Sequence, residues 1–296
     1  WRDGKASPMT DFTTRPEIRG TVGAVTSTHW IASAVGMRIL EQGGNAFDAA
    51  VATGLTLQVV EPHLNGPAGD MPAIFYRADA DEVGVLCAQG VAPEAATAEH
   101  YTDLGLTLVP GSGLLSTVVP GAFDGWMLML RDHGTLSLRE VIQPAIDYAR
   151  DGHPVLPRVA GMIDGLAEYF AQEWPTSAEV WPPGGKAPEP HALYKNHDLA
   201  ATYDRLASAP GATRETQSDA ARAEWRDGFV ADAIFDYLKD AEVMEVSGKK
   251  HAGVLTRSDM TDWRATFERP LTYDYHGWHV HKTQAWSQGP VMLQAL

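Results

Sequence analysis

The sequence contains very little cysteine, since Cys87 is the single thiol among its 296 residues. One cysteine forms no internal disulfide and provides no cysteine-based zinc cluster within the chain. A nucleophilic role is the alternative, but Cys87 lies in an apolar stretch with no histidine or acid at a supporting spacing. We interpret it as a buried structural thiol, because free cysteine is among the most often buried residue types.

Basic residues are also scarce, and no long hydrophobic run is present. There are 23 Lys and Arg residues against 38 Asp and Glu residues, which gives a formal net charge of −15 at pH 7. A strongly acidic surface repels phosphate backbones and anionic lipid. The longest apolar stretch, from Ala49 to Val60, contains Thr and Gln and is too short to cross a bilayer. We therefore expect neither a nucleic-acid partner nor a membrane partner.

The first residues lack the basic-then-apolar pattern of a secretion signal. Residues 1–8 read as an extraneous leader, and Met9 is a plausible natural start. We expect residues 9–296 to form one domain in the cytoplasm. A periplasmic or secreted location is the alternative, because a processed signal leaves no trace in the mature chain.

Several catalytic motifs are missing as well. The sequence has no G-x-S-x-G or H-E-x-x-H motif, and its glycine clusters at 110–113 and 120–121 do not follow a strand in nucleotide-binding register. His276, His279 and His281 form an H-x-x-H-x-H cluster in which the last two share one strand face. Without a nearby carboxylate we interpret this cluster as an exposed strand face and expect no metal and no cofactor.

The hydrophobic spacing predicts the order of the first elements. Val22 to Val25 is typical of a short strand, and a helix capped by Ser27 or Thr28 should follow, with an apolar face ended by Gly43. Asn45 can cap a second helix, which Glu61-Pro62 ends. Because small residues surround most of this helix, we expect it to be buried. They are Ala46, Ala49, Ala50, Ala52 and Gly54.

Two hairpins flank a mostly helical region. Ala73 to Tyr76 and Val83 to Cys87 predict one hairpin, and Phe267 to Tyr275 with Trp278 to Lys282 predict another. A polar loop, His63 to Asp70, precedes the first hairpin. In it, Gly66 and Gly69 permit backbone conformations that are closed to other residues.

Beyond these patterns, five blocks of sequence resemble the γ-glutamyltransferase family and occur in the family's order. The resemblance spans residues 20 to 296, and five ordered blocks are highly specific. The first block comprises Thr26–His29, Leu40–Ala52 and Val60–His63, and the second is Gly66–Asp70. The third comprises Val118–Gly121, His133–Leu136 and Pro144–Ile146. The fourth comprises Phe229–Ile234 and Leu255–Met260, and the fifth is Gln288–Pro290.

This resemblance implies an N-terminal-nucleophile hydrolase with an αββα fold. Members are made as one precursor that cleaves itself before a threonine, and the new α-amine then serves as that threonine's base. The chain has no Thr-Thr-His segment of the family type, so it resembles the large chain. We expect a small (β) chain from the same precursor to complete the fold and to carry the nucleophile and oxyanion donors. No catalytic residue is then expected in this chain, whose outer region from about 125 to 265 should be largely helical.

One substrate-binding position of the family does fall in the large chain. There, an arginine in an Arg-Glu-x-Ala-Pro block binds the α-carboxylate of the γ-glutamyl group. Aligning Ala92-Pro93 puts Gln89 at that position, and an uncharged amide cannot replace a bidentate guanidinium. Another arginine could supply the charge. Asn65, Gly66 and Asp70 are further candidates for lining the pocket, with a simple packing turn as the alternative.

The resemblance therefore predicts acyl transfer or amide hydrolysis through an acyl-enzyme. The first hypothesis is that the substrate is a γ-glutamyl donor. The second is that it is a different small amide, as in oxamate amidohydrolase-like or cephalosporin acylase-like relatives. Gln89 favours the second hypothesis. A non-catalytic scaffold subunit is the alternative from another class.

Overall fold

The computed structural model describes residues 19–296, so the proposed leader at 1–8 lies outside the described residues. Helices dominate this part of the chain. The helices are α1 (Trp30–Glu41), α2 (Ala46–Val60), α3 (Ala98–Asp103), α4 (Ala122–His133), α5 (Leu138–Asp151), α6 (Pro157–Glu173), α7 (Pro175–Val180), α8 (His197–Ala207), α9 (Arg214–Arg226), α10 (Phe229–Leu238), α11 (Arg257–Asp262) and α12 (Gly289–Ala295).

Short strands are inserted between the helices. They are β1 (Ala73–Arg77), β2 (Glu82–Cys87), β3 (His153–Pro154), β4 (Leu193–Tyr194), β5 (Val243–Met244), β6 (Lys250–His251), β7 (Thr266–Glu268), β8 (Leu271–Tyr275) and β9 (Trp278–Lys282). Antiparallel pairing joins β1, β2 and β7 into one sheet, while the remaining strands form two-stranded pairs.

Helices α1 and α2 form as their sequences predict. Ile31, Val35 and Ile39 are buried on one face of α1. Its N-cap is His29 rather than Ser27 or Thr28, because the His29 ring nitrogen Nδ1 accepts the Ile31 backbone N–H at 3.1 Å. Gly43 follows with φ of 95°, a conformation that favours glycine.

Helix α2 is the central buried helix, in contact with α1, α4 and α5. Asn45 and Asp48 form its capping box, and Asp48 also accepts the backbone N–H groups of Thr135 and Leu136. The predicted cap is therefore confirmed, and the same carboxylate fastens the α4–α5 connection. The predicted end is confirmed too, since Glu61 is the C-cap.

Two strand predictions need correction. Val22 to Val25 forms no strand, because none of the residues 19–296 pairs with its backbone. The predicted strand from Phe267 to Tyr275 divides at Arg269-Pro270. The first part, β7, pairs with β2, and the second part, β8, pairs with β9. Proline has no backbone N–H to donate to a ladder, which explains the division.

The first hairpin is confirmed and one face of its sheet covers the core. Ala73 and Phe75 pack on the main hydrophobic cluster, whereas Ile74 and Tyr76 on the opposite face are 48% and 56% exposed. No helix among the described residues is long and apolar enough to cross a membrane.

Candidate substrate-binding site

The loop from His63 to Asp70 is anchored at its start to the end of α2. The Asn65 side-chain amide donates to the backbone carbonyls of Leu57, at 3.3 Å, and Glu61, at 3.1 Å. Leu57 is in the last turn of α2 and Glu61 is its C-cap, so both bonds are made to the end of the helix. Asn65 therefore holds the loop against α2.

The far end of the loop is fastened to the start of α4. The Gly69 carbonyl accepts the backbone N–H groups of Gly121, at 3.1 Å, and Ala122, at 2.8 Å. These donors are among the free N–H groups that open a helix. Neither Gly66 nor Gly69 has positive φ. The conformational freedom that these glycines permit is not used here, because the turn closes with an ordinary hydrogen bond from the Gly69 backbone N–H to the Gly66 carbonyl at 3.0 Å.

Gln89 lies beside this loop because the pairing of β1 and β2 continues beyond the strands. Ala73 is opposite Leu86, and the Met71 backbone N–H donates to the Ala88 carbonyl at 3.0 Å. Asp70 and Gln89 are the next residues on the two segments, so the same register extended by one residue sets them opposite each other. Neighbouring side chains in such a pair lie close enough to interact. The structure thus joins the two segments that carry these sequence-predicted residues.

The segment around Gln89 packs tightly against the connection into α4. A Cβ atom on Gly90 would lie 1.7 Å from the Val119 carbonyl oxygen, so only glycine fits there. Gln89 itself is half-buried. Burial raises the pKa of the neighbouring Cys87 thiol, which disfavours the thiolate. Cys87 is half-buried rather than fully buried, and its environment is that of an unreactive thiol.

A buried ion pair fixes the first turn of α4, to which the loop is attached. The Asp124 carboxylate accepts two hydrogen bonds from the Arg222 guanidinium, at 2.8 and 2.9 Å, and a third from the Ala265 backbone N–H at 2.9 Å. Both side chains are less than a tenth exposed. Breaking such a pair by removing one partner typically costs about 3–5 kcal/mol. Asp124 thereby connects α4, α9 and the strand β7.

Sequence reasoning did not single out three histidines as site residues; His29 and His153 are buried, and His63, in the loop, is half-buried. His29 and His153 are 0% and 3% exposed, and each has one ring nitrogen without a hydrogen-bond partner among the described residues, as does His63. Burial lowers the pKa of His29 and of His63, and the charge of Glu61 opposes both shifts. Burial, with a smaller contribution from His29, lowers the pKa of His153 to about 4. The sequence signals were the family-like runs Thr26–His29, for His29, and Val60–His63, for His63.

The histidines of the last hairpin lie elsewhere. The His281 ring nitrogen is 2.9 Å from the Thr272 hydroxyl, and His279 lies 3.9 Å from Asp274 across the β8–β9 pair. Within residues 19–296, no group of three or more histidine, cysteine or acidic side chains is placed to hold a metal ion.

Comparison with known proteins places these features in a family. The family model described as Gamma-glutamyltranspeptidase matches residues 32–296, which is most of the chain. The chain belongs to the gamma-glutamyltranspeptidase family. The ordered blocks recognised in the sequence are thereby confirmed.

Individual relatives of this family agree. The glutathione hydrolase-like YwrD proenzyme of Bacillus subtilis is 31% identical over 273 residues, which are 92% of this chain and 47% of the relative. The acylase ACY 1 proenzyme of a Pseudomonas strain is 32% identical over 282 residues, 92% of this chain and 46% of the relative. The chain thus spans about half the length of these curated relatives.

Solved structures confirm the fold. LmbA2991 is 53% identical, with a TM-score of 0.91 over 96% of this chain and 49% of that chain. The γ-glutamyltranspeptidase of Helicobacter pylori is 27% identical, with a TM-score of 0.80 over 94% of this chain and 74% of that chain. The predicted N-terminal-nucleophile hydrolase fold of the family is therefore the fold of this chain.

Proposed function

We propose that this chain is the large chain of a two-chain enzyme that transfers or hydrolyses acyl groups from amides through an acyl-enzyme. One observation carries the proposal. The chain belongs to this family, and its Met71–Ala88 backbone hydrogen bond joins the segments that carry Asp70 and Gln89, next to the start of α4. The nucleophile, a threonine activated by its own α-amine, belongs to the small (β) chain of the same precursor. That mechanism needs neither a metal nor another cofactor.

The site residues divide into two roles in this proposal. Gln89 and Asp70 face the substrate, while Asn65 and Gly66 support the loop. Asn65 fits its role because both of its side-chain hydrogen bonds go to the backbone at the end of α2.

We propose further that residues 9–296 act as one domain and that the enzyme works in the cytoplasm. Fractionation of cells that produce the full precursor tests the compartment.

We propose a small amide other than a γ-glutamyl compound as the preferred substrate. A glutamine at the carboxylate-binding position offers hydrogen bonds without charge, so it selects weakly for a free α-carboxylate. A relative named as an acylase supports this reading. A γ-glutamyl substrate is the second candidate, supported by the relative named glutathione hydrolase-like.

The decisive experiment for the enzyme class is to purify the complete precursor and identify its chains. We expect a second, smaller chain that begins with threonine, and loss of all amide hydrolysis when that threonine is replaced by alanine. A second chain that begins with a residue unable to act as a nucleophile would instead support the scaffold subunit.

Substitution of Gln89 tests the substrate. We expect Gln89→Arg to raise kcat/KM for γ-glutamyl-p-nitroanilide about ten- to a hundredfold, since a charged hydrogen-bonded pair contributes about 1.5–3 kcal/mol. Gln89→Lys is the matched control, because it adds charge without the bidentate geometry and should gain less. If the unaltered enzyme already hydrolyses this compound efficiently and Gln89→Arg brings no gain, the carboxylate is bound by another group.

A further inference from the structure

A small apolar groove lies between the substrate loop and helix α6. The loop supplies one wall, and residues of α6 at helical spacing supply the other. Its volume is about 200 Å³. The lining residues are Pro62, His63, Val159, Met162, Ile163, Leu166, Phe170 and Trp181.

One wall of the groove belongs to the smaller hydrophobic cluster at α6. Val159 and Ile163 belong to a small cluster formed around α6 and Tyr194, which is distinct from the main cluster around α2. Met162 and Leu166 of α6 are each 41% exposed along the groove. An apolar group entering it would remove both side chains from water, which is favourable in proportion to the area buried.

The size of the groove limits what it can hold. An apolar cavity of about 150 Å³ binds one benzene molecule. Pockets for whole drug-sized ligands occupy about 300–1,000 Å³. A groove of about 200 Å³ therefore accommodates one ring or one branched alkyl group, and not a complete larger ligand.

Two polar side chains, His63 and Arg158, lie near one end of the groove. The Nδ1 atom of His63 is buried and has no hydrogen-bond partner within the described chain. Arg158, in the first turn of α6, is exposed, and its guanidinium has no ion-pair partner among residues 19–296. It precedes Met162 by four residues and so lies on the same face of α6. The charge of Arg158 also reaches His63, whose pKa it helps to lower.

We propose that this groove binds the apolar body of a small carboxylate-bearing compound, with one aromatic ring or branched alkyl group between the loop and α6 and the carboxylate facing Arg158. Arginine binds carboxylates through a planar pair of donors, and a free arginine beside an apolar groove matches an acid with an apolar tail.

This site specifies the substrate class of the proposed function. Its role in catalysis rests on that proposed function. The loop that forms one wall of the groove continues to Asp70, opposite Gln89. An acyl group bound here is larger and more apolar than a γ-glutamyl group. Its charge is recognised by Arg158 instead of by the position that Gln89 occupies.

Calorimetric titration of the purified two-chain protein tests the site directly, with phenylacetate and its neutral counterpart phenylacetamide as probes. Leu166→Trp fills the groove and should weaken the binding of both probes at least tenfold. Met162→Trp provides a second filling variant. Arg158→Gln should weaken phenylacetate about five- to tenfold and change phenylacetamide less than twofold. Leu108→Trp and Lys239→Gln are matched controls at exposed positions outside the groove, and neither should change the affinity of either probe.

The outcomes separate this proposal from the proposed function. Saturable binding that both filling variants weaken supports the groove, even in a protein that hydrolyses no amide. Absence of saturable phenylacetate binding overturns the proposal, including the case in which the small chain fills the groove. Binding that Leu166→Trp and Met162→Trp leave unchanged overturns it as well. An equal effect of Arg158→Gln on both probes overturns the assignment of the carboxylate to Arg158.

Discussion

The buried His153 shows how strongly burial can lower the pKa of a histidine. His153 is only 3% exposed, and its Nδ1 atom has no partner among the described residues. A protonated imidazole there would lose its hydration without gaining a counter-charge, so the neutral form is favoured. The unpaired nitrogens of His29 and His63 have the same consequence for those residues.

We expect His153 to make the folded state sensitive to mild acid. Its pKa is lowered from 6.5 to about 4, so the unfolded chain binds a proton in this range before the folded chain does. The stabilising contribution is complete above pH 6.5 and is lost as the pH falls towards 4. Linkage gives a loss of about 2 kcal/mol at pH 5 relative to pH 7.

Denaturant unfolding of His153→Gln at pH 7 and pH 5 measures this contribution. The free energy of unfolding of the variant should fall by about 2 kcal/mol less than that of the unaltered protein over this range. His279→Gln, at an exposed hairpin position, is the control and should retain the full loss. An unchanged loss in His153→Gln would mean that His153 is not the residue responsible.

At the scale of elements, the small residues of α2 determine how closely its neighbours approach. A Cβ atom on Gly54 would lie 2.2 Å from the Trp126 ring of α4, and one on Gly36 of α1 would lie 2.2 Å from the Thr53 hydroxyl. The interpretation of α2 as a buried helix is confirmed by this packing. The same close contacts explain why glycine is present at these two positions, where intrinsic helix propensity would favour alanine.

We expect Gly54→Ala to destabilise the protein although alanine is the better helix former. The propensity gain is about 1 kcal/mol, whereas overpacking a core contact costs about 1–3 kcal/mol and the rigid Trp126 ring must move. Gly161→Ala in α6 is the matched control, because nothing lies within 4 Å of its added Cβ. Thermal unfolding should show a lower Tm for Gly54→Ala and a slightly higher one for Gly161→Ala. Equal shifts in both variants would contradict the packing argument.

Across the whole molecule, apolar side chains remain exposed on one face of the β1–β2–β7 sheet. Ile74 and Tyr76 of β1 point away from the core and are 48% and 56% exposed. Outside this sheet, Val291 and Met292 of α12 are 66% and 47% exposed. A sheet is stable when both of its faces are covered or when the outer face is polar. The outer face of β1 is therefore a candidate contact for the small chain in our proposal.

Substitution of Ile74 tests this contact in the complete precursor. We expect Ile74→Asp to reduce co-purification of the two chains at least tenfold, because a charge would be buried without a partner. Leu108→Asp is the control at a loop position that is 79% exposed, and it should leave co-purification unchanged. Normal recovery of both chains with Ile74→Asp would place the small chain on another face.

Elements whose signals are local could be predicted from the sequence. Asn45 and Asp48 cap α2, Gly43 follows α1, and the two apolar runs of the first hairpin pair as expected. Caps, turns and helical periodicity depend on residues within a few positions of one another, so the sequence carries them directly. The ordered family blocks likewise identified the fold of the whole chain without any geometry.

Contacts between distant segments could not be predicted in this way. Val22 to Val25 has strand-like residues but no pairing partner for its backbone within residues 19–296, while Thr266–Glu268 pairs with β2. The placement of Asp70 opposite Gln89 and the groove between the loop and α6 also depend on contacts far apart in sequence. Backbone pairing and burial are properties of two surfaces together, and a linear pattern describes only one surface at a time.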